Sequence, residues 1–240
     1  MTWKVKLFTI FPEMFPGSLG CSLAGKAREK GVWNYEAVNI RDYAADLHKS
    51  VDDTPSGGGA GMVMRPDILG KAIDKNTDKN TKIIYMSPRG KPLTQKKLYE
   101  LARCNDLAII CGRFEGIDER VIEEYDVEEI SIGDYVLSGG EVAATVLMDG
   151  CIRLLDGVIG NKSTLNEESF GENADYAGLL EYPLYTRPVN WKGREIPEVL
   201  SSGHHKKIDE WRLERAEEIT KERRQDLWNN YCLVKRLQND

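Results

Sequence analysis

Val127-Glu128-Glu129-Ile130-Ser131-Ile132-Gly133-Asp134-Tyr135-Val136-Leu137-Ser138-Gly139-Gly140-Glu141 changes character twice. Val127 to Ile132 has the apolar, β-branched content of a strand, and from Gly140 to Leu155 Ala, Val, Leu and Met recur around a helix that should be largely buried. Between them lies a turn suited to pressing backbone against a ligand. Gly133, Gly139 and Gly140 accept dihedrals and close approaches that a Cβ resists, while Ile132, Val136 and Leu137 offer apolar walls. The motif alone is equally compatible with a plain glycine-rich connection.

The same grammar repeats upstream. Lys4 to Ile10, Trp33 to Ile40, Lys82 to Met86 and Leu107 to Cys111 read as strands, and Arg65 to Ile73, Thr94 to Arg103 and Ile117 to Glu124 as helices between them. Alternation of this kind predicts an α/β domain with a parallel sheet. The strands ending near Met86 and Cys111 run into Ser87-Pro88-Arg89-Gly90 and Gly112-Arg113-Phe114-Glu115-Gly116. Three loops are thus expected at one sheet edge, where open α/β sheets bind ligands. The expected organisation is an α/β domain over 1–160, a polar flexible linker over 161–182, and a smaller, mainly α-helical domain over 183–240. In the last, Ile208, Trp211, Ile219, Leu227, Tyr231 and Val234 should face inward.

Composition narrows the classes. Hydrophobic content of 41% with 30% charged residues in 240 residues is that of a soluble globular protein. No long apolar run or signal-peptide layout appears, so a cytoplasmic location away from membranes is expected. The five cysteines never stand as Cys-x-x-Cys, which argues for reduced thiols and against a zinc site, and three histidines form no zincin motif. A net charge of −6 offers little to a nucleic acid, although from His204 onward nine Lys and Arg stand against eight Asp and Glu. RNA contact must come from local patches. Gly20 to Ala27 approaches a phosphate loop but has Ala27 where magnesium chemistry needs Ser or Thr. In Gly57-Gly58-Gly59-Ala60-Gly61, four glycines require either flexibility or a neighbour passing very close.

Taken with Phe11-Pro12-Glu13-Met14-Phe15, Val51-Asp52-Asp53, Cys111 to Arg120, Tyr185-Thr186-Arg187-Pro188 and Ser202-Gly203, these segments resemble the bacterial tRNA (guanine-N1-)-methyltransferases of the SPOUT class. The resemblance implies a deep trefoil knot in the first domain, an exception to the rule that chains do not thread their own loops. It also implies S-adenosylmethionine held by the three loops. These are Met86, Ser87 and Pro88; Gly112 and Glu115; and Ile132, Gly133, Asp134, Tyr135, Val136, Leu137, Gly139 and Gly140. Backbone groups there can read an adenine edge, and Glu115 can offset a positive ligand.

Methylation at guanine N1 needs a base, because the N1 lone pair is delocalised until its proton leaves. Negative charge then spreads toward O6, where a guanidinium helps most in the transition state. The resemblance assigns Arg153 to that task, and to Glu168, before Ser169-Phe170, the role of the family's catalytic aspartate; the neighbouring Glu167 is a weaker choice. Phe114, Ala60 and Ala143 depart from a usual tyrosine and two prolines. A homodimer with Glu168 acting in trans on a flipped base is implied, on tRNA with guanosine at position 37 preceded by another guanosine. Arg187, His204, His205, Lys206, Lys207 and Arg212 are candidate phosphate contacts, or simply a solvated face. Magnesium dependence is implied as well, without a ligand constellation in the chain. Ribose 2′-O methylation and a non-catalytic RNA-binding module are the alternatives.

Overall fold

A computed structural model describes residues 2–160, 168–170 and 176–239. The chain divides into two compact units, Met1–Gly160 and Asn161–Asp240.

The first unit is built on five parallel strands in the order β2-β1-β6-β5-β7: β1 Trp3–Thr9, β2 Trp33–Asn39, β5 Lys82–Pro92, β6 Leu107–Ile110 and β7 Glu128–Ser131. A parallel sheet is covered on both faces, so its strands carry apolar residues at consecutive positions. All four residues of β6 are buried. Side-chain alternation then sends Leu7, Ile84, Leu107 and Ile109 to one face and Phe8, Ile83, Ala108 and Ile110 to the other. The first face packs against α1 (Ser22–Glu29), α3 (Gln95–Ala102) and α5 (Gly140–Ile152), through residues such as Ala27, Leu101 and Leu147. The second packs against α2 (Pro66–Asn76) and α4 (Glu119–Glu124), through Leu69, Ile73 and Val121. Each fully buried Leu, Ile or Phe contributes about 1.5–3 kcal/mol.

Local chemistry sets the ends of these helices. α2 starts with Pro66 in its first turn, where the missing N–H costs nothing, and ends where Thr77 Oγ1 donates to Ile73 O at 2.9 Å. Thr94 Oγ1 caps α3 by accepting from Lys97 N–H at 3.2 Å. Gly20 to Ala27 forms the end of a short 3-10 helix and the start of α1, with Gly25 packed on Gly20, so its glycines serve helix packing.

α5 is largely buried as expected, with eight of its thirteen residues covered, although Val142 and Val146 remain 53% and 47% exposed, so one apolar face of the helix has no cover within this unit. One expectation needs correction. β5 does not stop at Met86: Met86 and Lys91 both pair with Ile130, so residues 87–90 bulge out and pairing resumes beyond them. Sequence read the bulge as the end of the strand.

β3 (Asp52–Asp53) and β4 (Val63–Met64) form a small antiparallel pair bracketing the glycine-rich loop. In the second unit a hairpin, β8 (Asn190–Trp191) and β9 (Arg194–Glu195), precedes α6 (Glu198–Ser201), α7 (His205–Arg223) and α8 (Gln225–Asn239). Leu179, Tyr182, Ala216 and Tyr231 form its core, with Tyr176, Leu213 and Trp228 packed around them. Ile208, Trp211, Ile219 and Leu227 are half-buried, whereas Val234 is 52% exposed, against expectation. The next residue takes the seam instead: Lys235 Nζ lies 4.8 Å above the Tyr231 ring and bonds Glu217 Oε1 at 2.8 Å.

Candidate active site

The carboxyl ends of β6 and β7, and the bulge at residues 87–90 of β5, the strand between them, deliver three glycine-bearing segments to one place. There they enclose a cavity of about 280 Å³, near the lower bound of small-ligand sites. Met86, Ser87 and Pro88 line it from the β5 bulge, Gly112 and Glu115 from the second loop, and Ile132, Gly133, Tyr135, Val136, Leu137, Gly139 and Gly140 from the third. Asp134 is exposed and is not among the lining residues. Arg113, Phe114, Ser138 and Ala143 complete much of the wall. Tyr135, Val136, Leu137 and Phe114 are 41% to 82% exposed, an apolar rim that leaves large side chains uncovered.

Two close approaches explain glycines in these loops. A Cβ on Gly140 would meet Cys111 Cα at 2.9 Å and Gly112 N at 3.0 Å, and Gly140 N–H donates to Gly112 O at 2.9 Å. The third loop is therefore laid directly on the second. Gly61, at φ +87°, lies so near Glu115 that a Cβ would sit 2.5 Å from the carboxylate oxygen. Glu115, whose own N–H donates to Met62 O at 2.9 Å, is thus the close neighbour of Gly61, whereas Gly57 and Gly58 have nothing near them and use glycine's freedom at positive φ.

The third loop also holds itself. Ser131 Oγ accepts from Gly133 N–H at 3.1 Å and donates to Gly133 O at 3.0 Å, and Tyr135 OH donates to Ile132 O at 3.3 Å. Beneath the second loop, the Tyr85 ring backs Gly112 and Gly116, and burial raises its phenol pKa. Burial pushes the Cys111 thiol well above its usual value, so this cysteine is a packed, protonated side chain.

A buried ion pair stands behind the cavity. Glu141, 1% exposed in the first turn of α5, receives Arg113 Nε at 2.9 Å on one oxygen and Thr9 Oγ1 at 2.7 Å on the other. Sequence reasoning gave no role to Thr9, Tyr85, Arg113, Ser131 or Glu141. A signal existed for the pair: a carboxylate in the first turn of a mostly apolar helix must find a partner if it is buried, and Arg113 stands in the neighbouring motif.

Arg153 is the residue that closes α5; it is half-buried, and its N–H donates to Asp149 O at 3.1 Å. Glu168 belongs to the second unit and is half-buried. Around it, Ser169 Oγ accepts from Glu181 N–H at 2.9 Å, and Phe170, at φ +65°, donates its N–H to Leu179 O at 3.3 Å. Glu167 lies outside the described residues. Arg187, His204, His205, Lys206 and Lys207 are exposed, whereas Arg212 is half-buried with its guanidinium 4.8 Å above the Tyr182 ring. Among the described residues no group of three His, Cys, Asp or Glu gathers as metal ligands, and no helix is long and apolar enough to cross a membrane.

Comparison with known proteins gives a consistent result. Residues 3–230 match the family described as tRNA (Guanine-1)-methyltransferase TrmD. A Brucella ovis protein named tRNA (guanine-N(1)-)-methyltransferase is 56% identical over 234 residues, covering 98% of this chain and 95% of the relative. Proteins of the same name from Ruegeria sp. (strain TM1040) and Rhodospirillum rubrum are each 54% identical. The alignments cover 95% and 98% of this chain, and 93% and 96% of those relatives.

Proposed function

We propose that this chain, which belongs to the tRNA (guanine-1)-methyltransferase family, transfers a methyl group from S-adenosylmethionine to N1 of guanosine 37 in tRNA, beside the anticodon. The observation that carries the reading is one cavity lined together by the β5 bulge and by the loops that follow its parallel neighbours β6 and β7. Its mixed character suits the methyl donor: apolar walls from Ile132 and Leu137, main chain left accessible at Gly139, and a carboxylate at Glu115 facing a cationic ligand. When bound there, S-adenosylmethionine supplies a methyl group on a positively charged sulfur. The reading includes the trefoil knot, in keeping with the third loop lying against Gly112.

The chain's own residues handle the proton and the charge. Glu168 accepts the N1 proton, and Arg153 stabilises the negative charge that develops on O6. A glutamate reaches farther than the aspartate usual in the family, so the base is set from a differently placed backbone. The active form is a homodimer in which Glu168 serves the cavity of the other subunit. The exposed Val142 and Val146 face of α5 supports an apolar contact between copies.

Methylation of tRNA transcripts tests this directly, with guanosine or adenosine at position 37, its 5′ neighbour varied, and the modified nucleoside identified by mass spectrometry. Glu168→Gln is expected to lower kcat by about 10²–10⁴-fold. Arg153→Ala should lower it by about 10²–10³-fold. Wild-type rates in both variants would remove the proposed roles, and methyl on a ribose oxygen would replace the reaction.

A further inference from the structure

One buried carboxylate behind the cavity is not used by the chemistry above. Glu141 is 1% exposed, and its oxygens accept from Thr9 Oγ1 at 2.7 Å and Arg113 Nε at 2.9 Å. Thr9 in turn accepts from Phe11 N–H at 2.9 Å, which ties the carboxylate to the end of β1. Arg113 extends the chain of contacts toward the cavity: its Nη1 donates to Ser138 O at 3.3 Å, and its guanidinium lies 4.5 Å above the Phe11 ring. It also presses on the turn, since a Cβ on Gly139 would sit 2.5 Å from its Cζ. Three stretches of chain meet at this one ion pair: the end of β1, the second loop, and the segment from Ser138 to Glu141.

A buried ion pair is seldom the cheapest way to fill space, because an apolar pair of similar volume is often as stable. What it adds is direction. A guanidinium is a rigid planar fork, so fixing Nε on Glu141 also fixes where its other nitrogens point. Here that orientation puts Nη1 on the carbonyl of Ser138, in the segment that walls the cavity.

We propose that Glu141 is a positioning residue for the cavity. Acting through Arg113, it holds the turn from Ser138 to Gly140 in the shape that receives S-adenosylmethionine, and it sets affinity for the methyl donor without affecting tRNA binding. The proposal rests on the reading of this cavity as the methyl-donor site.

Glu141→Gln keeps the size of the side chain and an acceptor for Thr9 but removes the charge that orients Arg113. Calorimetric titration of the full chain with S-adenosylmethionine, and separately with a tRNA transcript, reads the effect. Affinity for S-adenosylmethionine should fall at least about tenfold while tRNA affinity stays within about twofold. In steady state the KM for S-adenosylmethionine should rise by the same factor, with kcat at saturation held within about threefold. Glu141→Asp should recover part of the loss. If Glu141→Gln does not fold, Arg113→Lys decides, because it keeps the charge beside Glu141 but loses the fork to Ser138 and should give the same KM shift. An unchanged KM for S-adenosylmethionine in a folded variant, or an equal loss of tRNA affinity, overturns the proposal. A wild-type chain that takes up no S-adenosylmethionine overturns the cavity reading and this proposal together.

Discussion

One methyl group at Gly140 measures how closely two loops are pressed together. Because the atoms it would meet, Cys111 Cα and Gly112 N, are both backbone, no rotamer change can relieve the contact. Gly140→Ala is expected to destabilise the first unit by about 1–3 kcal/mol and to weaken S-adenosylmethionine binding with it, read by urea denaturation and calorimetry. The need for a glycine was legible in the sequence, from the way small residues interrupt an apolar run. Its neighbour was not, since nothing in a linear pattern says which earlier segment lies beneath. Glu128 gives a residue-scale prediction of another kind. Burial alone would raise its carboxyl pKa, but Lys82 at 2.7 Å and Lys97 at 2.8 Å reverse the effect and hold it below 4.5. A depressed folded-state value means that the group stabilises the fold above the unfolded pKa and ceases to do so as pH falls through the folded one. Glu128→Gln should therefore lower stability near neutral pH, and its deficit should shrink as pH falls through the lowered folded-state pKa, below which wild type is protonated too. A deficit independent of pH in denaturant titrations would refute the electrostatic account.

At the scale of elements, the seam between α7 and the segment before Tyr182 turns on a single hydroxyl. Thr220, fully buried, donates to Ala216 O at 2.6 Å and accepts from Leu180 N–H at 2.9 Å. Thr220→Val keeps the shape but strands that N–H, at a cost of about 1–3 kcal/mol. Hydrogen exchange should show Leu180 losing protection in the variant while β6 keeps it; equal loss in both would contradict a local role. The existence of α7 and α8 was legible, because Trp211, Ile219, Leu227 and Tyr231 recur at helical spacing. The seam was less so, for Val234 looks inward by hydrophobicity alone, yet it is Lys235 that sets its ammonium over the Tyr231 ring and pairs Glu217. The strands of the sheet were readable because burial on both faces leaves unbroken apolar runs, as in Leu107 to Ile110. The β5 bulge was not, since Pro88 and Gly90 signal a break and cannot say that pairing resumes at Lys91.

For the whole molecule, the proposed chemistry divides its two principal residues between units: Arg153 closes a helix of the first, and Glu168 belongs to the second. The family resemblance nominated both and implied that they meet between two chains, a step that no pattern in the residues themselves could supply. A mixture of two inactive variants separates these cases. In a heterodimer of Arg153→Ala and Glu168→Gln chains acting in trans, one site carries both substitutions and the other carries neither. Random reassociation places half of the chains in such heterodimers, so mixing should restore about a quarter of wild-type methylation. Sites contained within one chain would each keep one lesion, and the mixture would stay as inactive as its parts. Reassociation must first be demonstrated with differently tagged chains. The exposed Val142 and Val146 then provide a second handle, because charges placed there should abolish both the dimer and the rescue while leaving S-adenosylmethionine uptake by the first unit. Undiminished methylation by a chain that keeps Arg153 and Glu168 but has lost the dimer through those charges would show that proton removal needs no second chain.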